Sequence, residues 1–284
     1  MTAALGREVF RQSAGWQASL AMNFAPRPTQ QRTVMESLFH RGPLRIQRPF
    51  HPEGDLCHVY VLHPPGGVVG GDGLRIDVGC LEQAHALVTT PGATKFYRSA
   101  GDTAQVSQCL CVAAGASLEW LPQENIFFPG ARVSLQTDIH LAPDASLIAW
   151  EINCLGRPVI GERFTEGALD SRMRVFVDQQ PRLIEHQKVA SERHLSSSAG
   201  LRGAALQGML VAWRVEEEMA QAVQEQLKAQ QDVLAGATLL DGLLVVRALG
   251  SHAERLRAVL TDVWRRLRPA VIDRPTVMPR IWAT

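Results

Sequence analysis

Apolar side chains return at every second position through a series of short runs between Trp16 and about Leu183, and Gly, Pro, Asn and Asp break the runs apart. Period-two spacing puts alternate residues on opposite faces of an extended chain, so the pattern predicts strands rather than helices. The runs fall at 44–47, 57–63, 74–78, 85–90, 106–112, 117–121, 132–141, 146–153 and 172–177. Small or turn-forming residues at 81–84, 113–116 and 143–145 supply tight connections between them. No repeat of fixed length runs through the segment, so a sandwich, a barrel and a stacked β-coil all satisfy the pattern.

The last third of the chain changes period. Residues 215–233 are rich in helix formers, with acids at the start where the helix dipole favours them. A strand at 209–213 precedes that helix and another at 239–249 follows it. Ser251 is placed to cap a second helix over 252–268, which Pro269 is expected to end. Leu256, Val259, Leu260, Val263 and Leu267 share one face of it. The expected organisation is an N-terminal extension over 1–14 without motif and disordered, a β-rich body over 15–203, and a C-terminal α+β portion over 204–284. That portion is a strand-helix-strand-helix unit packed on the body within one continuous domain. Residues 192–203, with three serines beside glycine and charges, are the expected mobile connector.

Charge narrows the function classes. Lys and Arg total 29 against 28 Asp and Glu, a formal charge of +1, so no global field draws the chain to nucleic acid or to anionic lipid. No window approaches the roughly 20 apolar residues that span a bilayer, and the first residues lack a signal-peptide core. Five cysteines, Cys57, Cys80, Cys109, Cys111 and Cys154, are an odd number scattered among strands, which fits a reducing, cytoplasmic compartment.

The segments with chemical promise are loops and strand ends. HPPGGVVGGDG, 63–73, presents Asp72 on a glycine-rich bend; no GK[ST] or helix follows, which excludes a phosphate cradle. TTPGATKFYRS, 89–99, groups Lys95, Tyr97 and Arg98. LEWLPQENIFFPGA, 118–131, sets Glu119 and Glu124 in an aromatic stretch, and the segment 149–172 adds Glu151, Arg157, Glu162 and Arg163, followed by Glu185 and His186. Acids spread over successive strands can line a hydrated internal path in which hard oxygen donors hold a divalent ion weakly. Glu119, Glu124 and Glu151 also permit a different class, a β-helical carbohydrate-active enzyme with paired acids. Cys109 and Cys111 share a strand face and could co-ligate a metal, although buried structural thiols are the commoner outcome. There is no HExxH and no GxSxG.

Taken together and in order, HPPGGVVGGD, TTPGATKFYRS, LEWLPQENIFFPGA, CLGRPVIGERFTEG and the closing VMPRIWAT resemble the urease accessory protein D family, UreD/UreH, over nearly the whole chain from Gly15-Trp16 onward. The resemblance implies a mainly β, β-helix-like body of stacked strands with two main helices, and no catalysis. It implies a metallochaperone scaffold that binds the F-type accessory protein, the G-type GTPase and apo-urease, with a dimer formed through the F-type partner. No cofactor is held tightly; nickel(II) is in transit. Asp72, Thr94, Glu151 and Glu185 match positions proposed to line the nickel passage, while Lys95, Arg98, Glu124, Arg157 and Glu162 are assigned to structural networks or partner surfaces. Asn125 beside Glu124 is a departure around a variable acid.

Overall fold

The computed structural model describes residues 15–283. The expected disorder of 1–14 therefore lies outside the described residues. In chain order the strands are β1 (Gln17–Arg27), β2 (Arg32–Arg41), β3 (Arg45–Ile46), β4 (Cys57–Leu62), β5 (Gly73–Cys80) and β6 (His85–Thr89). They continue with β7 (Thr94–Phe96), β8 (Ala104–Val112), β9 (Ser117–Leu121), β10 (Asn125–Phe127), β11 (Arg132–Leu141) and β12 (Ser146–Arg157). The remainder are β13 (Glu162–Arg163), β14 (Ala168–Val177), β15 (Gln180–Val189), helix α1 (Glu192–Ser196), β16 (Leu206–Trp213), α2 (Glu217–Lys228), β17 (Leu234–Leu240), β18 (Leu243–Gly250) and α3 (Ala253–Val271).

Successive strands alternate between two sheets. One sheet runs β15-β14-β11-β8-β5-β1-β2, the other β17-β18-β16-β12-β9-β6-β4-β3. Pairings β1·β5, β5·β8, β8·β11 and β11·β14 are parallel, as are β4·β6, β6·β9 and β9·β12. Each pass of the chain thus lays one strand on each sheet, which is a flattened β-coil without a repeating sequence. Antiparallel strands finish it, β2 and β15 on the first sheet and β16, β18 and β17 on the second. The expected β-helix-like body is present.

Burial explains why the two sheets read differently in sequence. The first has one outward face in water, and β11 alternates buried with partly exposed residues along RVSLQTDIHL. The second is covered on both faces, by the first sheet inside and by α2 and α3 outside, so eleven of the twelve residues of β12 are buried. Leu20, Leu110, Leu135 and Val211 belong to the layer between the sheets; Trp150, Leu210, Leu260 and Trp264 belong to the layer beneath the helices.

Several expectations need correction. The single strand at 239–249 is the hairpin β17-β18, because Asp241 and Gly242 both take positive φ, 45° and 85°, in a tight two-residue turn. Strands β1, β2, β7, β10 and β13 add to the runs within the strand-rich region, and β15 carries it beyond Leu183 to Val189. Helix α3 runs past Pro269 to Val271, and its N-cap is His252, whose side chain makes no capping bond. Pro269 cannot donate to the Arg265 carbonyl four residues back, which accepts instead from Thr276 Oγ1 at 3.1 Å. Segment 192–203 contains the short α1 and buries Leu195 and Leu201, so it is a packed connection. The strands of the C-terminal portion extend the second sheet edgewise instead of packing on a finished body.

Candidate functional site

The core between the sheets is apolar except along one band. Strand register on the first sheet aligns Ile76, Gln108, Thr137, Met173 and Glu185 in a single row across β5, β8, β11, β14 and β15. Ser171 and Gln187 pair in the adjacent row, and Gln187 Oε1 is buried without a hydrogen-bond partner. On the facing sheet Thr94, Asn125 and Asn153 align across β7, β10 and β12, and Glu151 sits two residues from Asn153 on the same side. Polar side chains from both sheets therefore meet at one level of an otherwise oily interior.

Glu151 is the centre of the band. It stands 8% exposed in a strand buried along all but its last residue. Its Oε1 accepts from Asn153 Nδ2 at 2.8 Å and from Ser171 Oγ at 2.9 Å, and Oε2 accepts from Thr137 Oγ1 at 3.4 Å. All three partners are neutral. Burial raises its pKa above the ordinary carboxylate value, and the three hydrogen bonds only partly offset that shift. A buried acid with no countercharge is a site where a cation gains what the protein has withheld. Beside it lies a hollow of about 50 Å³ lined by Thr94, Gln108, Asn125, Thr137, Glu151 and Met173 among others.

That hollow shares Ile76, Thr90, Thr94, Gln108 and Asn125 with a wider cavity of about 350 Å³ whose rim is the glycine-rich loop 63–67 and Pro91–Gly92. Thr94 thus lies where the two meet, and Lys95 lines the outer cavity. His63, on the rim, is held below the usual histidine range by burial, with the charge of Asp72 opposing the shift. Its imidazole is neutral at physiological pH and offers a nitrogen lone pair at the mouth.

Asp72 itself is tied up by the backbone. Its two carboxylate oxygens accept from the Trp16 and Val69 amides at 2.8 and 2.9 Å, closing the loop against the start of β1. It lines neither hollow. Glu185 lies at the far end of the aligned row, partly exposed, and is engaged by Arg247 of the other sheet at 2.6 Å. Of the four residues matched to a passage, Thr94 and Glu151 share a wall, whereas Asp72 and Glu185 stand at opposite ends of the region in structural bonds.

Most of the others sit in ion pairs. Glu124 meets Arg257 of α3 at 3.1 Å, Arg157 grips Glu162 through two bonds and lies over Phe128, and Arg98 reaches Glu166 at 3.5 Å in the open. Glu119 points the opposite way from Glu151, under α3, where Trp264 Nε1 donates to it at 2.6 Å and fully buried Arg268 pairs with it and with Glu53. Trp282 of the tail packs against Trp150 and Trp264. Paired acids across a sugar-sized cleft are thus not formed, because Glu119, Glu124 and Glu151 occupy separate environments with separate partners; the carbohydrate-enzyme alternative falls. Cys109 and Cys111, expected to be buried, face outward from β8.

Gln108, Thr137, Ser171, Asn153 and His63 were not singled out from sequence. Parity would have found the first three: each breaks an inward-facing apolar series, Gln108 between Val106 and Leu110, Thr137 between Leu135 and Ile139, Ser171 between Leu169 and Met173.

The family model described as UreD urease accessory protein matches residues 17–283. The chain belongs to that family. It is 53% identical over 273 residues to the urease accessory protein UreD of Alcanivorax borkumensis, covering 95% of this chain and 93% of that one. It is 45% identical over 279 residues to UreD of Enterobacter sp. strain 638, covering 98% and 99%, and 46% identical over 270 residues to UreD of Klebsiella aerogenes, covering 95% and 97%. As a UreD-family member the chain is an accessory protein and not an enzyme. Among the described residues no helix is long and apolar enough to cross a membrane.

Proposed function

We propose that this UreD-family chain is a cytoplasmic scaffold that docks apo-urease with the F-type and G-type accessory proteins, dimerises through the F-type partner, and conducts nickel(II) through the polar band between its sheets. One observation carries the reading: Glu151, buried without a countercharge, borders a hollow that shares its wall with the cavity behind the glycine-rich rim. Nickel is cargo here. Neutral amides, hydroxyls and a single carboxylate bind a divalent ion weakly enough to release it. His63 at the rim would take the ion first, Thr94 and Asn125 would relay it, and Glu151 would neutralise its charge at the waist.

Thr94→Trp tests this at the junction of the two hollows. The expected result is normal co-purification with the F- and G-type proteins and urease, together with a severalfold fall in urease nickel content. Unchanged nickel content in an assembled Thr94→Trp complex would leave a docking platform without a metal route.

A further inference from the structure

Cys109 and Cys111 are consecutive outward-facing residues of β8, Cys109 partly exposed and Cys111 exposed. Their sulfurs lie 3.8 Å apart. The other three cysteines are buried, and burial pushes the thiols of Cys57 and Cys154 up to about 12 and that of Cys80 also upward, which keeps them protonated. Within the outward pair the two sulfurs lie within hydrogen-bond reach of one another.

Two chemistries suit neighbouring thiols, and strand geometry separates them. A disulfide requires sulfurs about 2.05 Å apart and Cβ atoms about 3.5–4.5 Å apart. Same-face residues two apart on a strand project in parallel and hold their Cβ atoms about 6.6 Å apart. Strand β8 cannot contract to close that gap, because it is hydrogen-bonded in parallel register to β5 on one side and β11 on the other. A tetrahedral divalent ion with metal–sulfur bonds of about 2.3 Å holds two sulfurs about 3.8 Å apart. The strand already sets that separation.

The surroundings define how many ligands the chain supplies. Asp77 and Asp138 flank Cys109 in register, yet Arg75 takes the first at 2.8 Å and Arg174 the second at 2.6 Å. His140, opposite Cys111, lies flat on the Phe176 ring with centroids 5.0 Å apart. Among the described residues no group of three or more His, Cys, Asp or Glu is arranged to hold a metal. The pair is therefore a two-sulfur half-site, open to water above the sheet.

We infer that Cys109 and Cys111 form an exchangeable surface site for a thiophilic divalent cation of the zinc or nickel class, independent of the oxygen-lined interior. Two thiolates with water in the remaining positions bind more weakly than a closed four-ligand site and exchange readily. The tag-free full chain, kept reduced with a phosphine, is titrated with nickel(II) at pH 8 and read by near-ultraviolet thiolate-to-nickel charge transfer. Oxygen donors of the interior give no such band. Absorbance should saturate at one nickel per chain and vanish in both C109S and C111S, whose outward positions leave the fold, checked by circular dichroism, intact. In the wild type, nickel should also slow alkylation of these two cysteines. Absence of the band in wild type, its survival in the double variant, or ready closure of the native pair into a disulfide with peroxide would overturn the assignment.

Discussion

Replacing Glu151 by Gln removes a charge while keeping the shape of its pocket. The amide oxygen still accepts from Asn153 and Ser171, and the new NH2 group can donate to Thr137 Oγ1. Charge-assisted hydrogen bonds contribute about 1.5–3 kcal/mol and neutral ones about 0.5–1.5, so each retained bond weakens by about 1 kcal/mol. Against this, an uncompensated buried carboxylate costs several kcal/mol, and in this pocket burial outweighs the hydrogen bonds, as its raised pKa shows. The net expectation at pH 8 is a gain of about 1–3 kcal/mol, with Tm rising by about 2–4 °C for each kcal/mol. The sign with pH is distinctive. Folded Glu151 holds its proton to higher pH than the unfolded chain, whose value is near 4.5, so wild-type stability falls as pH rises from there through the folded pKa. Glu151→Gln lacks that loss, so its advantage over wild type should grow between pH 5 and pH 8 in paired thermal melts. A variant less stable than wild type at pH 8, or a difference independent of pH, would refute the claim that the pocket withholds a countercharge.

Arg268→Ala strands Glu53 and Glu119 as buried carboxylates under α3, so urea unfolding should show a loss of about 3–5 kcal/mol. Although burial opposes it, bonds from His58 and Arg268 hold Glu53 below the usual carboxylate range, and Arg174 and Gln136 do the same for Asp138. Both stabilise the fold above their unfolded values of 4.5 and 3.8 and lose that contribution as pH falls through the lower folded values, so urea midpoints in acid should drop below about pH 4. Gly67→Ala would drive a methyl into the Tyr97 ring and the Lys95 carbonyl, displacing the rim; a thermal melt should show a cost of about 1–3 kcal/mol.

Much of the body was legible because most of its strands obey a period-two pattern. The runs at 117–121 and 132–141 coincide with β9 and β11, since their ends are marked by turn residues and burial alternates or is complete. The edge strands β2 and β15 were opaque, because exposed positions along Arg32–Arg41 and Gln180–Val189 dilute the apolar alternation. The hairpin at 241–242 carried the Asp-Gly signal, but the apolar stretch across it read as one strand. Of the residues matched by motif resemblance, Thr94 and Glu151 line the inner hollow, while Asp72 closes a loop and Glu185 pairs with Arg247. Register decides which residues face one another across a coil, and register is set by the whole stack.

The central claim is that a lone interior carboxylate makes the space between the sheets passable to a divalent cation. It is tested most directly by the nickel content of urease assembled with wild-type, Glu151→Leu and Glu151→Asp chains in nickel-supplemented cells, with partner co-purification measured alongside. The account predicts intact complexes in all three, nickel-poor urease with Leu and substantial recovery with Asp. Full nickel occupancy in the Leu complex would contradict it.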